Sequence, residues 1–233
     1  MTLGEHLTEL RHRIVVSLLA VTAGGIVVFV LYPRILGFLA GYYRRATGKP
    51  KANFVNFGPL EGMSNRLNVT AYGGLMLALP VVLFQLWRFI TPGLKEREKK
   101  YAIPFVISSM ILFFFGVFVA FLTLQPALKF LVDIAGRNVD QLYSPNSFVR
   151  LVTLMTVAFG FAFQFPVVLV FLQLANVLTW RKLLKGWRYA IVVIFVLAAV
   201  ITPSQDPYSL FAMAIPMVVF YFASIGIGRL LRK

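Results

Sequence analysis

Charged residues are absent from six stretches of the chain, 14–33, 67–87, 101–128, 151–180, 189–205 and 207–228, which run to 20, 21, 28, 30, 17 and 22 residues. A helix rises about 1.5 Å per residue and needs about 20 apolar residues to cross a hydrocarbon core of roughly 30 Å. The pattern predicts an all-α integral membrane protein with six transmembrane helices, at about 14–33, 67–88, 101–124, 151–176, 189–202 and 208–228. The fifth is marginal, because Tyr189 to Ile201 supplies only 13 clearly apolar residues. That is about 20 Å of helix, so it is expected to be recessed or to sit in a thinned bilayer. The fifth and sixth runs are joined by "TPSQDP", whose two prolines and Asp read as a tight turn between two short helices.

Prolines recur in or beside the spans, at Pro80, Pro104, Pro126, Pro166 and Pro216. Each removes a backbone hydrogen bond and bends its helix, which predicts a concave bundle. No heptad, no repeat of 20–50 residues and no inverted duplication is evident, so residues 1–233 are read as a single membrane domain.

Ahead of the first span, Leu3, His6, Leu7 and Leu10 fall at i, i+3, i+4 and i+7, one face of a helix. Residues 1–12 are therefore expected to lie along the membrane surface as an interfacial amphipathic helix. Glu5 and Glu9 share another face, and a second acidic pair, Glu96 and Glu98, sits among basic residues in "TPGLKEREKK".

Composition agrees: 59% of residues are hydrophobic and 13% charged, with a mean hydropathy of +0.82, against about 25% charged in a soluble domain. The net charge of +15 would suggest nucleic acid in a soluble protein, but here the basic residues cluster at span ends, which points to topology and anionic headgroups. Lys and Arg number 14 on the side that holds both termini and 9 on the other, so both termini are predicted to be cytoplasmic. The first outer loop, with Arg34, Arg44, Arg45, Lys49, Lys51 and Arg66, runs against this locally.

The chain has no cysteine and only His6 and His12 as histidines, which leaves no disulfide framework, thiol nucleophile or evident metal site. No HExxH, P-loop or G-x-S-x-G pattern occurs, so neither catalytic residues nor a cofactor are expected. The spans hold Gln85, Gln125, Gln164 and Gln173 but no ionisable residue at mid-depth. Coupled carriers place such groups there, so a small-molecule secondary transporter is the weaker alternative. Four of the eight acidic residues, Glu5, Glu9, Glu96 and Glu98, gather on the predicted cytoplasmic face. As solvated partners of neighbouring cations they would contribute only about 0–1 kcal/mol each. Two of them, from separate segments, could instead receive two guanidinium groups.

These segments resemble TatC, the six-span core of the twin-arginine protein translocase. The resemblance covers nearly the whole chain, in "HLTELRHR", "GPLE", "LPVVLFQLWRFITPGLKEREKK", "AFGFAFQFP" and "ITPSQDPYSLFAMAIP". It implies a receptor for signal peptides of folded cargo carrying paired arginines, in the cytoplasmic membrane, with transport drawing on the proton gradient. By the family's pattern Glu9 and Glu98 bind the arginine pair, with Arg11 and Phe89 matching neighbouring motif positions. A carboxylate and a guanidinium can pair through two parallel hydrogen bonds, which an ammonium cannot reproduce. Two such contacts, at about 1.5–3 kcal/mol each, correspond to tens-of-micromolar affinity at best, so the apolar part of the signal must contribute as well.

The resemblance also implies an oligomeric complex with single-span TatA-like and TatB-like subunits docking at the last two helices. Gln164, Thr202, Pro203 and Asp206 are the positions implied for docking, and Pro59, Glu61 and Pro166 those implied for structure. Three departures from the family stand out. Gln164 occupies a position usually held by glutamate, "GPLE" replaces "SPxE" while keeping Pro59 and Glu61, and the turn after the fifth span is one residue longer.

Overall fold

The computed structural model describes residues 3–48, 54–90, 102–136 and 143–230, and all regular structure among them is helical. The helices are α1 (Leu3–Thr47), α2 (Glu61–Ile90), α3 (Ala102–Ala135), α4 (Pro145–Ala162), α5 (Phe165–Leu174), α6 (Trp180–Lys185), α7 (Trp187–Ile201) and α8 (Pro207–Leu230). Five stretches are long and apolar enough to cross a membrane, α4 and α5 together making one of them, and α7 is a shorter apolar helix.

Three expectations change. The amphipathic stretch at 1–12 is no separate surface helix: α1 is continuous from Leu3 to Thr47. Nothing in "HRIVVS" breaks the backbone hydrogen-bond ladder, and the first internal proline is Pro33. The residues read as a surface helix are therefore the first turns of α1. The fourth span divides into α4 and α5 at Phe163 and Gln164, because Pro166 enters at the second position of α5 and cannot donate to the preceding turn. The sixth helix is not short: α8 has 24 residues, about 36 Å, because its apolar run continues to Arg229 and neither Gly226 nor Gly228 ends it.

The chain forms two compact units. In the one made of Met1–Phe38 and Asn56–Met110, α1 and α2 meet at glycines. A Cβ on Gly24 would stand 2.7 Å from the Gly74 carbonyl oxygen, and one on Gly74 would stand 2.6 Å from the Gly25 nitrogen. The two backbones touch directly, a contact that only a missing side chain allows. Beyond it Asn65, fully buried, donates from Nδ2 to the Tyr32 hydroxyl at 2.9 Å.

In the second unit, Leu39–Val55 and Ile111–Lys233, α8 packs against α5 and α7. Gln173 on α5 donates from Nε2 to the Ser224 carbonyl at 3.0 Å, and the Tyr221 hydroxyl donates to the Leu183 carbonyl at 2.7 Å, tying α8 to α5 and α6. At the far end of α1 an aromatic cluster gathers the incoming segments. Tyr43 stacks on Phe54 with centroids 5.0 Å apart and meets Tyr143 and Phe148 edge-on, while the Val55 amide donates to the Tyr143 carbonyl at 3.3 Å. Burial, with the neighbouring Tyr43 adding to it, pushes the Tyr143 phenol above its ordinary pKa and keeps it neutral.

Candidate functional site

Glu9 lies on the second turn of α1 with Arg13 one turn further on, a spacing that puts both side chains on one face. The Arg13 Nη2 donates to Glu9 Oε1 at 3.0 Å and its Nη1 donates to Gln85 Oε1, also at 3.0 Å. Gln85 is buried near the end of α2, so the guanidinium bridges α1 and α2 within the first unit. The side chains of Arg13 and Glu9 are only 14% and 17% exposed. Water screens this pair less than a fully exposed one, and losing either partner would leave the other charge poorly compensated. Two atoms in the cluster, Glu9 Oε2 and Arg13 Nε, are buried with no hydrogen-bond partner among the described residues. Among the described residues, the carboxylate has one oxygen engaged and the other buried without a partner.

Arg11 is exposed on α1, and Phe89 is half-buried at the penultimate position of α2. Glu96 and Glu98 lie outside the described residues, as do the side chains of Glu5 and His6. The structure thus brings Glu9 together with Arg13 and Gln85, a partnership the sequence reading did not find. Half of it carried a signal, the favourable Glu-before-Arg spacing of four on a helix. Gln85 is 72 positions from Arg13, and only its burden as an amide in an apolar span hinted that it needed a partner.

The turn before α8 is built from its own polar groups. Asp206 is the N-cap: its Oδ1 accepts from the Ser209 amide at 2.8 Å, its Oδ2 accepts from the Ser204 hydroxyl, and Pro207 follows at the first helical position. Thr202 donates its hydroxyl to the Ala198 carbonyl at 2.6 Å and closes the end of α7. Thr202, Ser204, Asp206 and Ser209 are all buried, and Pro203 is half-buried. What the hairpin exposes is apolar: on α7, Tyr189, Val192, Val193, Val196 and Val200 share one face, with Tyr189 81% and Val200 78% exposed, while Ile194 and Ala198 are sealed.

Gln164 caps the start of α5 through its backbone, accepting from the Val168 amide at 3.1 Å, with its side chain half-buried and Pro166 buried beside it. Pro59 stands in the turn that leads into α2. Glu61, the first residue of that helix, reaches back to accept the Phe57 amide at 2.7 Å through Oε2, satisfying a loop donor and placing negative charge at a helix N-terminus.

Residues 5–216 match the family model described as Sec-independent protein translocase protein (TatC). A Frankia casuarinae protein of the same name is 36% identical over 240 residues. That alignment covers 99% of this chain and 66% of the relative, so the chain spans just under two thirds of it. The Synechocystis protein of that name is also 36% identical, over all of this chain and 90% of its own length. The crystal structure of a twin-arginine translocase receptor, TatC, superposes with a TM-score of 0.77 at 34% identity, over 98% of this chain and 100% of the other.

Proposed function

The chain belongs to the TatC family of Sec-independent protein translocase proteins, and on that premise we propose that it is the twin-arginine signal-peptide receptor and membrane core of a translocase for folded proteins. In this reading residues 1–233 are one membrane domain in the cytoplasmic membrane with both termini cytoplasmic, and its work is binding and conveyance rather than covalent chemistry. Glu9 and Glu98 receive the two arginines, with Arg11 and Phe89 beside them. The observation that supports the reading is the Glu9 carboxylate, largely buried near the start of α1 with Oε1 accepting from a guanidinium and Oε2 buried without a hydrogen-bond partner among the described residues. That site binds guanidinium in the resting protein already, which is the chemistry a twin-arginine signal requires.

The partners in this reading are single-span TatA-like and TatB-like helices, and the exposed apolar face of α7 is the surface that suits them. Helix α7 spans only about 22 Å, so a partner with a short apolar helix would match it with least mismatch. Thr202, Pro203 and Asp206 act in docking through the shape of the hairpin, since Thr202 and Asp206 are buried in the turn.

The test is photocrosslinking in membranes of a twin-arginine signal peptide, and of its paired-lysine version, to the wild-type chain, Glu9→Ala and Glu98→Ala. The expected result is crosslinking of the arginine peptide to the wild type and its loss in every other combination. Equal crosslinking throughout would remove the carboxylates from the receptor role.

A further inference from the structure

If Glu9 receives a cargo arginine, the guanidinium of Arg13 already occupies the position that arginine needs. Arg13 is held at two points, by Glu9 Oε1 and by Gln85 Oε1, each at 3.0 Å. An incoming cation meets a carboxylate that is already neutralised, in a place where Glu9 is 17% exposed and Gln85 is buried.

Two outcomes are open to it. It could add to the pair through Oε2, leaving one carboxylate between two guanidinium groups and an uncompensated positive charge in a half-buried cluster, which burial makes costly. Or it could replace Arg13, conserving the charge of the cluster. The Arg13 guanidinium ends a long flexible stem whose side chain keeps 14% of its surface exposed, so its head can swing toward solvent while the stem stays packed.

We propose that Arg13 is a resident competitor, and that a twin-arginine signal binds by exchanging its own guanidinium for that of Arg13 on Glu9, with Gln85 setting how tightly Arg13 holds its place. The exchange rests on the receptor reading of Glu9 and adds a source of specificity to it. Discrimination needs an element that penalises the wrong ligand as well as one that favours the right one. A lysine ammonium, a compact point charge without a planar fork, cannot match a guanidinium anchored at two acceptors, whereas an arginine replaces it like for like. Part of the demand for arginine then comes from what a ligand must displace.

The experiment is a binding titration of fluorescent twin-arginine and paired-lysine signal peptides to the full chain in lipid nanodiscs, comparing wild type, Arg13→Gln, Gln85→Leu and Glu9→Gln. Exchange requires that Arg13→Gln binds the arginine peptide more tightly, by about two- to fivefold, the range of one partly screened ion pair. It also requires that the preference for arginine over lysine narrows. Gln85→Leu, which removes only the second anchor and puts an apolar group in an apolar span, should shift both readings the same way by less, and it serves if Arg13→Gln fails to fold. Weaker or unchanged binding in these variants overturns the exchange and makes Arg13 a residue that merely positions Glu9. Glu9→Gln separates the two levels: if it lowers binding of the arginine peptide, the receptor reading stands whatever Arg13 does, and if it changes nothing, that reading falls and the exchange with it.

Discussion

Removing the Asp206 carboxylate takes an acceptor from two donors at once, the Ser209 amide and the Ser204 hydroxyl, in a turn where both are buried. Loss of an N-cap costs about 0.5–2 kcal/mol, and a stranded buried hydroxyl adds about 1–3 kcal/mol. Asp206→Ala should lower the thermal midpoint of the detergent-solubilised protein by several degrees. Asp206→Asn keeps the Oδ1 acceptor for the helix and should recover most of the loss; equal losses in both would mean that the charge, not the cap, holds the hairpin. The sequence made this turn legible as a turn, because Pro and Asp have fixed local uses. It did not make Thr202 and Asp206 legible as interior groups, since burial depends on what packs over a turn. Glu9 shows the same limit, for its acidity and face could be read directly while its engagement by Arg13 and Gln85 required two helices to be in place.

At the scale of elements, the contact between α1 and α2 depends on glycine for lack of volume. Gly74→Ala would push a methyl to 2.6 Å from the Gly25 nitrogen, main chain that cannot rotate away, so the helices must separate. Gly37→Ala, on the same α1, meets nothing within 4 Å and should be neutral or stabilising by up to about 1 kcal/mol through helix propensity alone. Thermal unfolding of the two variants side by side checks this, and equal midpoints would show that the helices do not meet at these glycines. The membrane-length helices were readable in the sequence because an uncharged run of 20 residues says little else in any context. Their ends were not: α1 runs past its apolar segment to Thr47, α8 is longer than expected, and the fourth span breaks at Phe163 and Gln164. Helix ends follow from hydrogen-bond partners and local breakers, to which hydropathy is blind.

For the whole molecule, the site on Glu9 can meet a signal peptide before transport only if the N-terminus faces the cytoplasm, so orientation is the prediction on which the functional reading stands. With α7 counted as a sixth crossing beside the five membrane-length stretches, both termini would share one side, and 14 Lys and Arg against 9 favour the cytoplasm for it. The basic residues that argue the other way are partly taken up by the fold. Arg66 lies 3.8 Å over the Phe29 ring and donates to the Phe29 carbonyl at 3.0 Å, and Arg45 donates to the Gly41 carbonyl at 3.1 Å with its guanidinium over Tyr42. Arg44 and Arg45 are carried outward on the part of α1 beyond its apolar run, about 16 Å past residue 33. Because the natural chain has no cysteine, single replacements report without background. Lys185→Cys and Asn56→Cys sit at exposed positions on opposite predicted sides. A membrane-impermeant maleimide added to intact cells should label the cysteine at 56 and not the one at 185, which should react only once the membrane is opened. The reverse pattern would place Glu9 on the far side of the membrane, where no signal peptide could reach it before crossing.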